Sequence, residues 1–341
     1  VKFSRSVLAI NLEERATILS QRLREVVLTT MKRRGVVVAV SGGIDSACVA
    51  ALATRALGPE RVHALLLPER ESSDESLALG EELCRSLNIP WTTVDIAPVL
   101  ASLGCYQARD AAVRSVFPPF SPEMPWKIVL NGDRLNSDAL NVFHIVIEAE
   151  DGEHRLRLPA RAYLEIVAAT NFKQRVRTML SYYHADRLVF AVAGTPNRLE
   201  YDQGFFVKLG DGAADVKPIA GLYKSQVYAL AAHLGVPTSI VQRAPTTDTY
   251  SLAQSQEDFY FQVPYRTLDL LLWARNHNVP IDECARALDL STTQVQRVWN
   301  DITQKRRSTA YLHAPPILLE PIPELVPFAL DVRPPGAGEM P

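Results

Sequence analysis

The strongest constraint in this 341-residue chain is the valine-rich run VVVAV at 36–40, which ends in Ser41-Gly42-Gly43-Ile44-Asp45-Ser46 and passes directly into the alanine-rich stretch ACVAALATRAL. An apolar run without alternation, bounded by Gly35 and a Ser-Gly-Gly turn, reads as a strand buried on both faces. A strand that turns straight into a helix is half of a βαβ unit. Residues 62–67, 91–96 and 188–193 repeat the strand signal, with helical patterns at 46–57, 73–88 and 161–184. The alternation predicts an α/β fold: an open, mostly parallel sheet with helices on both faces. Residues 10–33 form an amphipathic helix ahead of it, with Ala16, Leu19, Leu23 and Val27 on one side.

Ligands of an open parallel sheet bind outside the carboxyl ends of the strands, which is where the 41–46 turn sits. Gly42 and Gly43 permit close backbone approach, the helix start offers free N–H groups, and Ser41 and Ser46 add hydroxyls. Such a site suits a polyphosphate. It lacks the lysine of most phosphate loops, and Asp45 would repel a phosphate directly, so its carboxylate is assigned to Mg²⁺ that bridges the phosphates. A bare Gly-Gly would serve the turn alone; six residues in this order, between a buried strand and a helix, point to function.

The same six residues resemble the loop of the N-type ATP pyrophosphatases, and further segments in the same order resemble the NAD synthetase family within that group. These are Asn171-Phe-Lys173-Gln-Arg175-Val-Arg177, Gly194-Thr195 through Glu200 and on to Gly204-Phe-Phe-Val-Lys208 and Asp211–Asp215, Pro218 through Lys224-Ser-Gln226, and Ala244-Pro245-Thr246-Thr-Asp248. The resemblance covers most of residues 10–310 apart from an insertion at 105–159. It implies an adenine nucleotide α-hydrolase-like fold and an ATP-dependent, ammonia-using, amide-forming synthetase. Such an enzyme adenylates a carboxylate, releases pyrophosphate, and lets ammonia displace AMP. By the same resemblance Ser41, Gly42, Gly43, Asp45, Ser46, Thr195, Lys224 and Thr246 bind ATP, and Asp45 and Glu200 hold Mg²⁺. Asp45 and Lys224 carry the catalysis, and Arg175, Lys208, Asp215 and Lys305 contact the acid, deamido-NAD.

Three features depart from the family pattern and all bear on the acid rather than on ATP. The 105–159 insertion carries a proline cluster and a hairpin turning at Asp151-Gly152. A His-Lys pair near the C-terminus is Gln304-Lys305 here, and an acidic segment reads Gln256-Glu257-Asp258-Phe259. Another small carboxylate therefore stands as the alternative substrate. A tRNA-modifying ATP pyrophosphatase is a second alternative, disfavoured by the absence of paired cysteines and of a basic excess, since the net charge is −2. Residues 281–307 also read as a helix-turn-helix ending in Lys305-Arg306-Arg307, with packing on the core as the plainer account. A relative that binds nucleotide without catalysis is disfavoured by the presence of Asp45, Glu200 and Lys224 together.

The domain reading is an α/β unit at 1–104 and 160–264, the insertion, C-terminal helices at 265–313 packing on the core, and a proline-rich extended tail at 314–341 with Leu318, Leu325 and Phe328 as anchors. Four scattered cysteines, no apolar run long enough to span a bilayer and no signal-type segment give a cytoplasmic protein without membrane contact. The first amphipathic helix and the resemblance both predict a homodimer, with packing of that helix on its own subunit as the alternative for its apolar stripe. Ammonia arrives free or from a separate protein.

Overall fold

The computed structural model describes residues 2–130, 135, 142–243, 250–252, 260–320 and 322. Thr246, residues 256–259 and most of the tail, including Leu325 and Phe328, lie outside the described residues.

Helix α1 (Leu12–Glu25) opens on Asn11, whose side chain accepts the Glu14 N–H, and runs into a wide turn, Val26–Thr30. Strand β1 (Val36–Ala39) follows, then α2 (Ile44–Leu57), β2 (Val62–Leu66), α3 (Asp74–Leu87), β3 (Trp91–Thr93), α4 (Ala97–Ser102) and α5 (Cys105–Arg114). After β4 (Trp126–Leu130), β5 (Phe143–Ala149) and β6 (Gly152–Arg157) comes the 29-residue α6 (Ala160–Leu188), then β7 (Ala191–Ala193) and α7 (Arg198–Gln203). The chain continues with α8 (Lys224–His233), α9 (Thr238–Val241), α10 (Tyr265–Asn276), α11 (Ile281–Leu288) and α12 (Thr292–His313).

The expected parallel sheet is present as β3-β2-β1-β7, all neighbours parallel. Its pleat divides two cores. Val36, Val38, Ala64, Leu66, Ala191 and Ala193 face α1, α2, α3 and α8, while Val37, Leu65 and Val192 face α4, α5 and α6. Strand β1 is therefore buried on both sides, as its unbroken apolar run requires. The last expected strand is shorter than its apolar run because α6 continues to Leu188, where Val189 at φ 58° turns the chain.

Residues 105–159 are more than a proline cluster and a hairpin. They begin with α5, and β4-β5-β6 form an antiparallel sheet with the predicted turn between β5 and β6. Its core joins Trp126, Ile128, Ile145 and Ile147 to Val113 of α5, Ile166 of α6 and Tyr250, so the segment shares its interior with the rest of the molecule. Helices α10–α12 form a fourth core with Leu199, Tyr223 and the N-terminal Phe3 and Leu8.

The apolar stripe of α1 packs on its own chain: Ala16, Leu23 and, just past the helix, Val27 lie against α2 and α8. Leu318 is 59% exposed. Among the described residues no helix is long and apolar enough to cross a membrane.

Candidate active site

The strand order reverses at β1: the chain steps outward through β2 and β3, then returns to the other side of β1 as β7. The loops leaving β1 and β7 must diverge there, and the gap between them is the ligand crevice of an open α/β sheet. A cavity of about 780 Å³ occupies it, lined by Ser41, Gly43, Asp45 and Ser46 after β1 and by Thr195 and Glu200 after β7.

The turn after β1 is built for close packing. Gly42 has φ 77°, and a Cβ there would lie 2.4 Å from the Ser76 carbonyl oxygen, so both conformation and space demand glycine. Ser46 Oγ donates to the Gly43 carbonyl at 3.0 Å and accepts from the Ser41 N–H at 3.2 Å, locking the six residues into one loop. Gly43, the N-cap of α2, offers no side-chain cap, so the first amides of this helix face the cavity with the positive end of its dipole.

Three charged groups meet beneath that loop. The Lys224 ammonium, from the first residue of α8, pairs with the Asp45 carboxylate. Asn197 joins Asp45 to Glu200: its Nδ2 donates to Asp45 Oδ1 at 2.9 Å, and its own N–H donates to Glu200 Oε2 at 3.0 Å. Its Oδ1 also accepts the Leu199 and Glu200 N–H groups, capping α7. Burial, and then the Asp45 carboxylate, push the Glu200 carboxyl up to about 8. Burial would strip the proton from Lys224, but Asp45 and Glu200 outweigh it and hold the ammonium above the usual lysine range. Lys224 thus balances the Asp45 carboxylate beside a Glu200 carboxyl that burial keeps raised.

Of the remaining sequence-selected residues, Lys305 lines the same cavity from α12; its Nζ donates to the Tyr260 carbonyl and pairs with Asp301, both at 2.8 Å. The other three stand apart from the cavity lining. Arg175 is exposed on α6 with its Nε on the Lys208 carbonyl at 3.4 Å. Lys208 donates to the Tyr311 and Ala314 carbonyls at the end of α12. Asp215 accepts the Val192 N–H at 2.8 Å and so fastens the loop to β7.

Sequence reasoning passed over Asn197 and Asp211. The first was readable: Asn197 with Glu200 three residues on is a capping-box pattern. Asp211 lines the cavity, half-buried, and accepts the Val207 N–H at 2.8 Å; desolvation lifts its carboxyl to about 6.

The helix-turn-helix reading of 281–307 is replaced by packing on the core. Cys284, Leu288, Val295, Val298 and Ile302 are buried together, and Arg306 forks onto Asp202 with both contacts at 2.7 Å.

A model of the NAD synthase family matches residues 16–115 and 140–310. The chain is 52% identical over 299 residues to an NH(3)-dependent NAD(+) synthetase of Rhizobium meliloti (strain 1021), covering 87% of this chain and 89% of the relative. It is 50% identical over 305 residues to the enzyme of that name from Rhizobium rhizogenes, covering 89% and 92%. Among solved structures, an NMN synthetase from Francisella tularensis superposes with TM-score 0.63 at 24% identity, over 91% of this chain and 99% of its own. An NH3-dependent NAD synthetase from Campylobacter jejuni does so with TM-score 0.60, also at 24% identity, over 92% and 100%. The two structures establish a shared fold; the sequence match, spanning the β1 and β7 loops, α8 and α12, establishes descent, and the chain belongs to the NAD synthase family.

Proposed function

We propose that this protein converts deamido-NAD to NAD with ammonia and ATP, releasing AMP and pyrophosphate. The observation that carries the reading is the joining of Asp45, Asn197, Glu200 and Lys224 beneath an open helix start at the switch point of the sheet. Ammonia and the product NAD are in the names of the Rhizobium relatives, which match nearly nine-tenths of the chain; ATP and deamido-NAD are what the family resemblance implies.

A carboxylate is a poor acyl donor until its oxygen becomes a good leaving group. Its attack on the α-phosphorus of ATP forms a C–O–P bond, breaks the bond to pyrophosphate and gives an acyl-adenylate. Ammonia then attacks the acyl carbon, AMP departs, and the nitrogen loses a proton to leave the amide. Negative charge grows on the departing pyrophosphate, and Lys224, kept protonated by Asp45 and Glu200, is placed to stabilise it with the free amides of α2. No protein nucleophile is needed. Thr195 and Thr246 are assigned to ATP with the 41–46 turn, and Lys305 to the acid.

The donor set fits Mg²⁺: the Asp45 and Glu200 carboxyls line one cavity beneath the 41–46 turn, close enough that Asp45 helps push the Glu200 carboxyl up to about 8. Asp45 and Glu200 would hold the ion, which when bound supplies Lewis-acid stabilisation of phosphate charge.

The assembly we assign is a homodimer through α6. Leu164, Phe172, Met179 and Tyr183 are exposed on one face of that helix. Antiparallel pairing about the middle of the helix would set Leu164 against the Tyr183 of a second copy, a self-complementary contact.

The test is direct. Incubation with ATP, Mg²⁺, ammonia and deamido-NAD is expected to yield AMP, pyrophosphate and NAD in equal amounts, and Asp45→Asn to yield none while keeping its fold. ADP as product, or turnover indifferent to the acid, would overturn the reading.

A further inference from the structure

A lysine at the first position of a helix is in the wrong electrostatic place. The amides of that turn already carry the positive end of the helix dipole, and an ammonium beside them is disfavoured. Lys224 begins α8 nonetheless, and its side chain is 4% exposed, so water does little to relieve the conflict.

The chain resolves this from a distance. Asp269, in the middle of α10, is fully buried, and its two carboxylate oxygens receive the first two amides of α8: the Lys224 N–H at 3.2 Å and the Ser225 N–H at 2.8 Å. The amide one residue earlier, on Tyr223, goes to Gln226 Oε1 at 3.1 Å, and Gln226 Nε2 reaches on to the Leu8 carbonyl at 3.0 Å. Every amide of this helix start named here therefore ends on a buried side chain. A serine or asparagine at the N-cap would accept one of these N–H groups without burying a charge. What it would not add is a fixed negative charge against the turn that bears the ammonium.

We propose that Asp269 is a positioning residue for Lys224: it holds the first turn of α8 in register, so that the ammonium lies against Asp45 rather than withdrawing from the helix start. The C-terminal helices thereby belong to the chemistry without touching substrate. The assignment rests on Lys224 as the group that steadies the departing pyrophosphate.

The test uses Asp269→Asn, which keeps the shape but turns one acceptor into a donor facing an N–H, with Val298→Ala as a control that loosens the same helical core. Two readouts are taken. Acetylation of Lys224 by an amine-reactive ester, followed by peptide mass, reports whether the ammonium stays buried. ATP–pyrophosphate exchange driven by deamido-NAD reports the first chemical step. In Asp269→Asn, Lys224 is expected to label ~10-fold faster while exposed Lys32 is unchanged. Exchange kcat is expected to fall ~10- to 100-fold with the KM for ATP within about threefold of the original. Val298→Ala is expected to lower the melting temperature and move neither readout. Unchanged Lys224 labelling in Asp269→Asn, or the same change in Val298→Ala, would overturn the assignment. Should Asp269→Asn fail to fold, Asp269→Glu, which keeps the charge one methylene out of place, is expected to label Lys224 at an intermediate rate, and wild-type labelling there would equally sink it. A wild-type protein without exchange would refute the functional reading, whereas the labelling still decides the role of Asp269.

Discussion

At the scale of single residues, the site is a set of buried charges that fix one another's ionisation. Asp211 offers a test of this kind outside the Asp45–Lys224 pair. Its carboxyl is lifted by burial from the usual aspartate range to about 6. The folded state therefore holds the proton more tightly than the unfolded chain, so this group favours folding below the unfolded pKa and loses that contribution as pH rises through about 6. Asp211→Asn removes the titration while keeping an acceptor for the Val207 N–H. Between pH 4 and 7 the variant is expected to gain roughly 3 kcal/mol on the wild type, read by urea unfolding; a constant difference across that range would refute the buried titration. Residues of the turn were legible from their order alone, because a loop of six local residues is a local fact. Asp269 was not, since its partners lie 45 positions away. The trace it leaves is faint: one acid inside the apolar helical run TLDLLLW.

At the scale of elements, periodicity found the parallel strands and the helices between them, because β1, β2 and β7 are buried on both sides and such strands must be written in unbroken apolar runs. It did worse between 105 and 159. Helix α5 hides in CYQARDAAVR, where Arg109 and Asp110 interrupt the apolar face yet are themselves buried: Arg109 pairs with Glu71 and with Asp110 at 2.6 Å. Lys173 of α6 joins the same cluster, pairing with Glu69 at 2.9 Å and with Glu71. A buried ion pair between elements distant in sequence reads as surface until the fold is known. The antiparallel sheet rests on Trp126, 1% exposed, whose ring lies 4.8 Å from Tyr250 and whose backbone bonds the 251–252 segment at 2.9 and 3.1 Å. Trp126→Ala is expected to cost ~3–5 kcal/mol. Because Leu130 and Phe143 of the same sheet line the cavity, the KM for the acid should rise more than the KM for ATP. Equal effects on the two would mean that the sheet only supports the fold.

At the scale of the whole molecule, the amphipathic pattern of α1 and the exposed stripe of α6 trade places. The sequence makes both helices partly apolar, and only the packing reveals which face is already taken. Met179→Glu, on the stripe 57% exposed in the single chain, is expected to shift a dimer toward monomer in sedimentation velocity at micromolar concentration while leaving the circular dichroism unchanged. A dimer unaffected by the charge would move the interface elsewhere.

The distance along the chain between Asp45 and Lys224 carries a consequence for folding. These two residues are 179 positions apart, and the carboxylate that seats Lys224 comes a further 45 later. A domain generally folds as a unit, so neither half of the site can form from its own stretch of sequence. A truncated chain ending before α10 keeps both Asp45 and Lys224 yet lacks the carboxylate that receives the first amides of α8. The ability to cleave ATP therefore depends on the finished fold.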